Sequence, residues 1–174
     1  MGDQNMTIHE PMVGRYFEDF EAGDIHKHWP GRTISESDNT WFTLLTMNKH
    51  PLHFDDNYAS KQMFGKRLVN STLTLAIVAG MSVWDTSQNA IANLGWESIK
   101  LPNPVFIGDT LYAESEILEK RDSKSRPETG IVSFETRAYN QTNQLVLNYK
   151  RTILTKRRGY DDGKLPQFGT PVDQ

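Results

Sequence analysis

The feature that most constrains the fold is a helical segment with almost no polar face. The spacing predicts a helix over Ser71–Asp85, which at a rise of about 1.5 Å per residue is about 22 Å long. Its apolar residues surround the helix axis: Leu73, Leu75, Ala76, Ile77, Val78, Ala79, Met81, Val83 and Trp84. A helix that is apolar on all sides is buried on all sides. We therefore expect it at the centre of the fold, with the rest of the chain around it.

Two further helices are predicted before the central one, over Ser35–Met47 and Asp55–Phe64. Ser35 or Ser37 is a candidate N-cap for the first of them, because a serine hydroxyl accepts a hydrogen bond from a first-turn N–H. The apolar residues of that helix share one face: Trp41, Leu44 and Leu45. This face is predicted to point into the core.

After the central helix the pattern changes to the alternation that is typical of strands. The predicted strands cover residues 89–96, 111–119, 131–139 and 145–155. The sequence Asn140–Asn143 predicts a tight turn between the last two. One buried helix followed by antiparallel strands favours an α+β architecture, in which the sheet is wrapped around the helix. This arrangement is known as the hotdog fold.

The length of 174 residues predicts one domain. Residues 1–13 are polar and are predicted to form an N-terminal extension. The domain itself is expected over residues 14–158, without repeats or linkers. Residues 159–174 are rich in turn-forming residues and are predicted to be a C-terminal tail.

Composition and targeting signals exclude several classes of protein. The chain has no cysteine, which excludes disulfides, a thiolate nucleophile and cysteine-ligated metals. A net charge of −3 argues against a nucleic-acid partner. The N-terminus lacks an apolar signal core, and the apolar run at residues 75–84 is far shorter than the ~18 residues of a membrane span. We expect a cytoplasmic protein with no membrane partner, and the sequence shows no metal-binding spacing.

Two of the five histidines are candidates for acid–base chemistry. His50 and His53 lie between the first two predicted helices, whereas the other three occupy polar N-terminal sequence. Leu52 and Phe54 flank His53 and would desolvate it, which keeps an imidazole neutral and suited to act as a general base. From the residues alone, a structural histidine bonded to Asp55 or to a carbonyl is an equally open interpretation.

The segment around these histidines resembles a known family motif. Residues 46–55 read TMNKHPLHFD, against S-G-D-x-N-P-L-H-x-D in the MaoC-like dehydratases, or R-specific enoyl-CoA hydratases. Further matches are Gly65–Val69 (GKRLV), Pro104–Leu111 (PVFIGDTL) and the opening Tyr16–Phe20 with Gly23-Asp24, which resembles the family's first strand. The resemblance covers residues 14–157. The stretches DNTWFTLLTMN and DTSQNAIANLGW are similar to the mesaconyl-CoA or itaconyl-CoA hydratase subgroup.

The resemblance implies a hydro-lyase that adds water to, or removes it from, the C2–C3 bond of an enoyl-CoA thioester. It implies that His53 is the acid–base group and that Asn48, which replaces the family aspartate, orients the water. The backbone N–H of Ser71, at the start of the central helix, would hold the thioester oxygen in place of a family glycine. No metal is implied, and no cofactor beyond the CoA that the substrate carries.

The departures from the motif bear on the substrate. Asn48 in place of aspartate and His50 in place of asparagine, beside Lys49, make the segment more positive than the family pattern. Such a pocket favours an acyl group with its own carboxylate, such as the C5 dicarboxylic groups of mesaconyl-CoA or itaconyl-CoA. The residues expected to bind substrate are His50, Lys49, Asn70, Thr72 and Arg126. The last belongs to a basic loop suited to CoA phosphates.

Three alternatives remain open at this point: an ordinary enoyl-CoA hydratase, an acyl-CoA thioesterase, or a noncatalytic acyl-CoA-binding protein. The resemblance also implies assembly, because a single hotdog domain usually completes its CoA site with a second copy. We expect a homodimer, or a dimer of dimers or trimer of dimers.

Overall fold

The computed structural model of the protein describes residues 14–160. The predicted N-terminal extension at residues 1–13, and the predicted tail from residue 161 onward, lie outside the described residues. The extent of the domain therefore stays a prediction at both ends.

Five antiparallel strands form a single sheet in the order β1-β3-β4-β5-β2. The strands are β1 (Ile25–Thr33), β2 (Ala90–Lys100), β3 (Thr110–Asp122), β4 (Thr129–Tyr139) and β5 (Leu145–Lys156). The four strands predicted after the central helix are confirmed. The predicted position of the opening strand is wrong. Phe17–Asp19 forms a 3₁₀ turn, and the first strand begins at Ile25. The carboxylate of Asp19 accepts the N–H of Tyr16 at 2.9 Å, which closes the chain into that turn before β1 begins.

Three α-helices precede β2: α1 (Glu36–Leu45), α2 (Asp56–Ala59) and α3 (Ser71–Ser82). Ser35 caps α1, because its hydroxyl accepts the N–H of Asp38 at 3.1 Å while the Asp38 carboxylate accepts the N–H of Ser35 at 2.8 Å. The helix α2 is shorter than predicted. The last turn of the predicted central helix is a π-helical segment, Val83–Ser87. No helix within residues 14–160 is long and apolar enough to cross a membrane.

The central helix packs across the sheet, chiefly against β1 and β3. Its inward residues Leu73 and Val78 are buried in a cluster with side chains from the strands: Leu111, Ala113, Ala138, Val146, Leu147 and Tyr149. Each large apolar side chain removed from water in this way contributes about 1.5–3 kcal/mol. The hydrophobic contact between helix and sheet therefore dominates the stability of the fold.

The prediction that α3 is buried on all sides is wrong for a single chain. Ala76, Gly80 and Trp84 are exposed, and the Trp84 side chain remains 48% accessible. Their spacing of four residues aligns them along one side of the helical segment. The sheet of one chain covers the opposite side only, so this apolar stripe has no cover within residues 14–160.

The predicted inward face of α1 is also wrong. Trp41, Leu44 and Leu45 are 67%, 52% and 76% exposed, whereas Asn39 and Thr43 are fully buried. The helix lies over a segment of irregular backbone, whose N–H and C=O groups need hydrogen-bond partners when they are buried. Polar side chains meet that need and apolar ones do not, so the polar residues of α1 face inward.

Close packing at the end of the sheet away from α1 generates a stability prediction. A Cβ added at Gly130 of β4 would lie 2.0 Å from the ring of Phe17, which is buried in a second apolar cluster with Phe20 and Phe134. We expect Gly130→Ala to lower the free energy of unfolding by about 1–3 kcal/mol through overpacking. Urea denaturation measures this, with Gly95→Ala as the control, because a Cβ there meets no described atom within 4 Å. Equal stabilities of the two variants would contradict the packing argument.

Candidate active site

The candidate site lies where the segment between α1 and α2 meets the start of α3. Pro51–His53 forms a 3₁₀ turn in that segment. The N–H of Leu68 donates to the carbonyl of Leu52 at 3.2 Å, which ties the turn to the chain that leads into α3. The turn that carries His53 is thereby joined to the N-terminus of the central helix.

His53 is held in one tautomer by the backbone. Its Nδ1 lies 3.0 Å from the carbonyl oxygen of Leu68. A carbonyl oxygen only accepts hydrogen bonds, so the proton of the neutral ring is on Nδ1 and the lone pair is on Nε2. The ring is half-buried. His53 is therefore arranged so that Nε2 can accept a proton from a group in the site.

His50 is held in the opposite tautomer. Its Nδ1 accepts the N–H of Leu52 at 3.2 Å, so the proton of the neutral ring is on Nε2. The ring is exposed and its centroid is 6.0 Å from that of His53. The two neighbouring imidazoles therefore offer complementary groups: Nε2 of His53 accepts, and Nε2–H of His50 donates.

Asn48 begins the same segment and is half-buried. Its side-chain oxygen accepts the N–H of His50 at 3.0 Å. The amide nitrogen then remains available to a ligand, and it can only donate. Lys49, next in the chain, is exposed and adds a positive charge to this segment.

The start of α3 supplies oriented N–H groups. Asn70 is the N-cap, and its side-chain oxygen accepts the N–H of Thr72 at 3.0 Å and the Thr72 hydroxyl at 2.7 Å. First-turn N–H groups have no partner inside the helix. Because the cap takes the N–H of Thr72, the N–H of Ser71 is the first one available to an acceptor outside the helix. The helix dipole adds partial positive charge at that point.

The structure places both Asn70 and Thr72 in the cap of α3. The side chain of Asn70 is buried and bonded to Thr72 and to Thr43. Both residues belong to the helix cap and position Ser71, and because Thr72 is exposed, the predicted contact with substrate stays a prediction.

A cavity of about 260 Å³ opens beside Ser71. Its lining is mostly apolar: Phe64, Leu68, Val69, Ser71, Thr74 and residues 101–105. Leu68 is common to this cavity and to the anchor of His53. The cavity suits an apolar group of a ligand that also reaches the start of α3.

Arg126 does not join this site within one chain. The site lies near the first residue of β3, because Phe106, four residues before Thr110, bridges to Leu68. Arg126 follows the last residue of β3, and 13 residues of strand separate the two ends by about 40 Å. Its predicted contact with CoA phosphates has no support inside a single chain.

Asp55 caps α2 and does not orient His53. Its carboxylate accepts the N–H of Tyr58 at 2.9 Å. The carbonyl of Leu68 fixes the His53 tautomer, which was the other interpretation open from the sequence.

An Asp–His–Ser arrangement elsewhere in the fold is structural. His28 contacts Asp85 at 3.0 Å through Nδ1 and Ser115 at 2.8 Å through Nε2. Ser115 is fully buried, and its hydroxyl also bonds to Thr136 at 2.7 Å. A nucleophile must reach its substrate, so this arrangement offers no route to thioester cleavage. Among the described residues, no cluster of acidic or histidine side chains is arranged to hold a metal ion.

The sequence analysis missed Asn39, whose amide nitrogen donates to the carbonyl of His53 at 2.7 Å. The available signal was the polar pair Asn39 and Thr43, four residues apart on a helix whose apolar residues lie elsewhere. Polar residues at helical spacing usually mark the solvent face, which is why they were not assigned to the site.

Comparison with known proteins identifies the family. The chain belongs to the mesaconyl-CoA hydratase family, whose model matches residues 7–165. It is 34% identical over 146 residues to a mesaconyl-CoA hydratase from Cereibacter sphaeroides, a match that covers 84% of this chain and 42% of that protein. The chain thus spans less than half the length of this curated relative. The family assignment made from the motif is confirmed.

The solved structures agree on the fold. A MaoC domain protein dehydratase from Chloroflexus aurantiacus superimposes with a TM-score of 0.80 at 32% identity, over 91% of this chain and 44% of that one. A protein from Mycobacterium tuberculosis with a double hotdog fold superimposes with a TM-score of 0.78 at 22% identity, over 93% of this chain and 53% of that one. The prediction of a hotdog fold is confirmed.

Proposed function

We propose that this chain hydrates an enoyl-CoA thioester, and that the acyl group is a C5 dicarboxylic one such as mesaconyl or itaconyl. The observation that carries the proposal is the pairing of the free Nε2 lone pair of His53 with the N-terminus of α3. The Leu68 carbonyl anchors His53, and Ser71 is only three positions after Leu68, a span of at most about 11 Å. One thioester can reach both groups.

The proposed step is a conjugate addition. The thioester oxygen accepts the N–H of Ser71, where the α3 dipole stabilises the charge that develops on it. Nε2 of His53 takes a proton from water as the water oxygen bonds to C3, and the π electrons move to form an enolate. The imidazolium then returns its proton to C2, so atoms and charge balance. Asn48 orients the water by donating from its amide nitrogen, and the step needs no cofactor beyond the CoA of the substrate.

The charges around the two histidines support a dicarboxylic substrate. A carboxylate at position 48 would repel a substrate carboxylate about 4 Å away by about 1 kcal/mol even in water, and by more in a desolvated site. Asn48 removes that repulsion. The Nε2–H of His50 and the ammonium of Lys49 are donors that can meet the distal carboxylate. A relative named for a dicarboxylic acyl-CoA, mesaconyl-CoA, is consistent with this specificity.

We propose a second copy of this chain as the partner. β2 is an edge strand with unpaired backbone groups along one side. The apolar stripe of Ala76, Gly80 and Trp84 on the central helix also lacks cover in one chain. Longer relatives carry about twice the length of this chain, and one similar structure is a double hotdog. A second copy supplies an equivalent second domain.

The proposed substrate also bears on location. Because acyl-CoA metabolism takes place inside the cell, it favours a cytoplasmic setting.

The reaction type is tested with a panel of mesaconyl-CoA, itaconyl-CoA and crotonyl-CoA. We expect the enoyl-thioester absorbance to fall without release of free thiol, fastest with a dicarboxylic substrate. His53→Ala should lose most turnover while acyl-CoA still raises the melting temperature. Release of thiol would indicate a thioesterase, and near-normal hydration by the His53 variant would overturn the assignment of the base.

The oxyanion role of the Ser71 N–H is tested by deleting that group alone. Proline is favoured at the first position of a helix, and Asn70, with φ −58° and ψ 126°, has the extended backbone that a following proline requires. We expect Ser71→Pro to lower kcat by about 100- to 1,000-fold while the fold is kept. Ser71→Ala retains the N–H and should keep most of the activity. Similar rates for the two variants would argue against the role.

The proposed dimer is tested at Gly80. A Cβ at Gly80 meets no described atom within 4 Å, so Gly80→Glu leaves the single chain unstrained and introduces charge into the apolar stripe. We expect the wild type to be at least dimeric and Gly80→Glu to be monomeric by light scattering coupled to size exclusion. Ala22→Glu, at another exposed position, is the control and should assemble normally. A monomeric wild type would disprove the proposal.

A further inference from the structure

One fully buried amide makes hydrogen bonds to three separate parts of the candidate site. The amide nitrogen of Asn39 donates to the carbonyl of His53 at 2.7 Å and to the carbonyl of Leu68 at 3.3 Å. Its oxygen accepts the N–H of Asn70 at 2.8 Å. The side chain has no exposed surface. Its donor and acceptor are therefore committed to the backbone of the site.

The three backbone groups are those that fix the proposed base and the proposed oxyanion donor. The carbonyl of Leu68 accepts the Nδ1–H of His53, so it sets the tautomer and the direction of the ring. The N–H of Asn70 belongs to the cap of α3 and precedes Ser71 directly. Through one side chain, Asn39 thus links the backbone that orients the proposed base to the backbone that orients the proposed oxyanion donor.

We propose that Asn39 is a positioning residue that holds His53 and the N-terminus of α3 at a fixed separation. The proposal rests on the function proposed above and adds a residue that does not touch the substrate. Conjugate addition requires the base to face C3 while the thioester oxygen stays on Ser71. A displacement of about 1 Å between such groups can lower turnover by about 100-fold.

The helix that carries Asn39 is itself fixed at its start. The N–H of Asn39 donates to the carbonyl of Ser35, which is the capping residue. Arg32 pairs with Asp38 at 2.8 Å, and hydrogen bonds from the backbone of Ser35 lower the pKa of Asp38 below its usual value. The position of the amide therefore follows from the capped first turn of α1, which makes Asn39 a firm support for the site.

Asparagine suits this position for a chemical reason. Aspartate has the same shape and can accept from the N–H of Asn70, but its carboxylate cannot donate to the two carbonyls. Leucine has similar volume and makes none of the three hydrogen bonds. Thr43 provides the matched control, because it is equally buried on the same helix and contacts the Asn70 side chain at 3.3 Å through its hydroxyl.

The kinetic test compares Asn39→Leu, Asn39→Asp and Thr43→Val in the full chain. We expect both Asn39 variants to lose about 100-fold in kcat with little change in KM, because binding is kept and alignment is lost. Thr43→Val should keep most of its turnover. Asn39 variants with near-normal kcat, or a Thr43 variant with an equal loss at equal melting temperature, would overturn the proposal.

A second measurement does not depend on catalysis and so separates this proposal from the proposed function. Nitrogen NMR of the histidine rings should show neutral His53 protonated on Nδ1 in the wild type and in Thr43→Val. In the Asn39 variants we expect a mixture of tautomers, since the Leu68 carbonyl is no longer fixed. Unchanged tautomers in those variants would overturn the positioning role, whether or not the protein hydrates enoyl-CoA.

If neither Asn39 variant folds, hydrogen exchange in the wild type tests whether Asn39 fixes the backbone of the site. The side-chain amide of Asn39 and the Nδ1–H of His53 should then be protected together, as parts of one hydrogen-bonded unit. Rapid exchange of the Asn39 side-chain amide would show that Asn39 does not fix these backbone groups, and would overturn the proposal.

Discussion

The chain that leads into α3, Val69 and Asn70, must be buried for the core to form, and its backbone groups must be bonded for that burial to be tolerated. An unpaired N–H or C=O in the interior costs as much as a lost hydrogen bond. Leu73 packs into the core at the first turn, so Asn70 and the chain before it are drawn inside with it. Asn39 of α1 accepts the backbone N–H of Asn70, and Thr43 accepts the side-chain amide of Asn70. Burial of the chain that leads into α3 therefore goes together with the apolar inward face of α3 and with the polar inward face of α1.

The same constraint produces the chemistry of the site. Backbone groups, not charged side chains, fix the tautomers of both histidines: a carbonyl takes the Nδ1–H of His53, and an N–H occupies Nδ1 of His50. The site thus holds an acceptor and a donor without a carboxylate at position 48. A pocket built in this way tolerates a negatively charged acyl group better than one that relies on an aspartate.

The apolar surface left on the outer side of α3 follows from the size of the sheet. Five strands curl around one side of the helix, and the stripe that begins at Ala76 remains open. One similar solved structure has a double hotdog fold, and in this chain a second copy is the proposed equivalent of the second domain. Trp41 and Leu45 on α1 extend the exposed apolar surface of the chain.

The sequence alone determined the elements that depend on local pattern. The alternation after residue 89 predicted four strands correctly, the cap at Ser35 marked the start of α1, and the motif around His53 identified the family. What only the tertiary structure decided is which groups those elements bring together. The inward face of α1 was assigned wrongly because an apolar stripe usually faces a core, and no local pattern reveals that buried carbonyls lie beneath it. Arg126 was predicted from the sequence to belong to the site, whereas the fold places it beyond the opposite end of β3. The tautomer of His53 depends on Leu68, which is 15 residues away in the chain, because a hydrogen bond across a fold is fixed by packing and not by neighbouring residues.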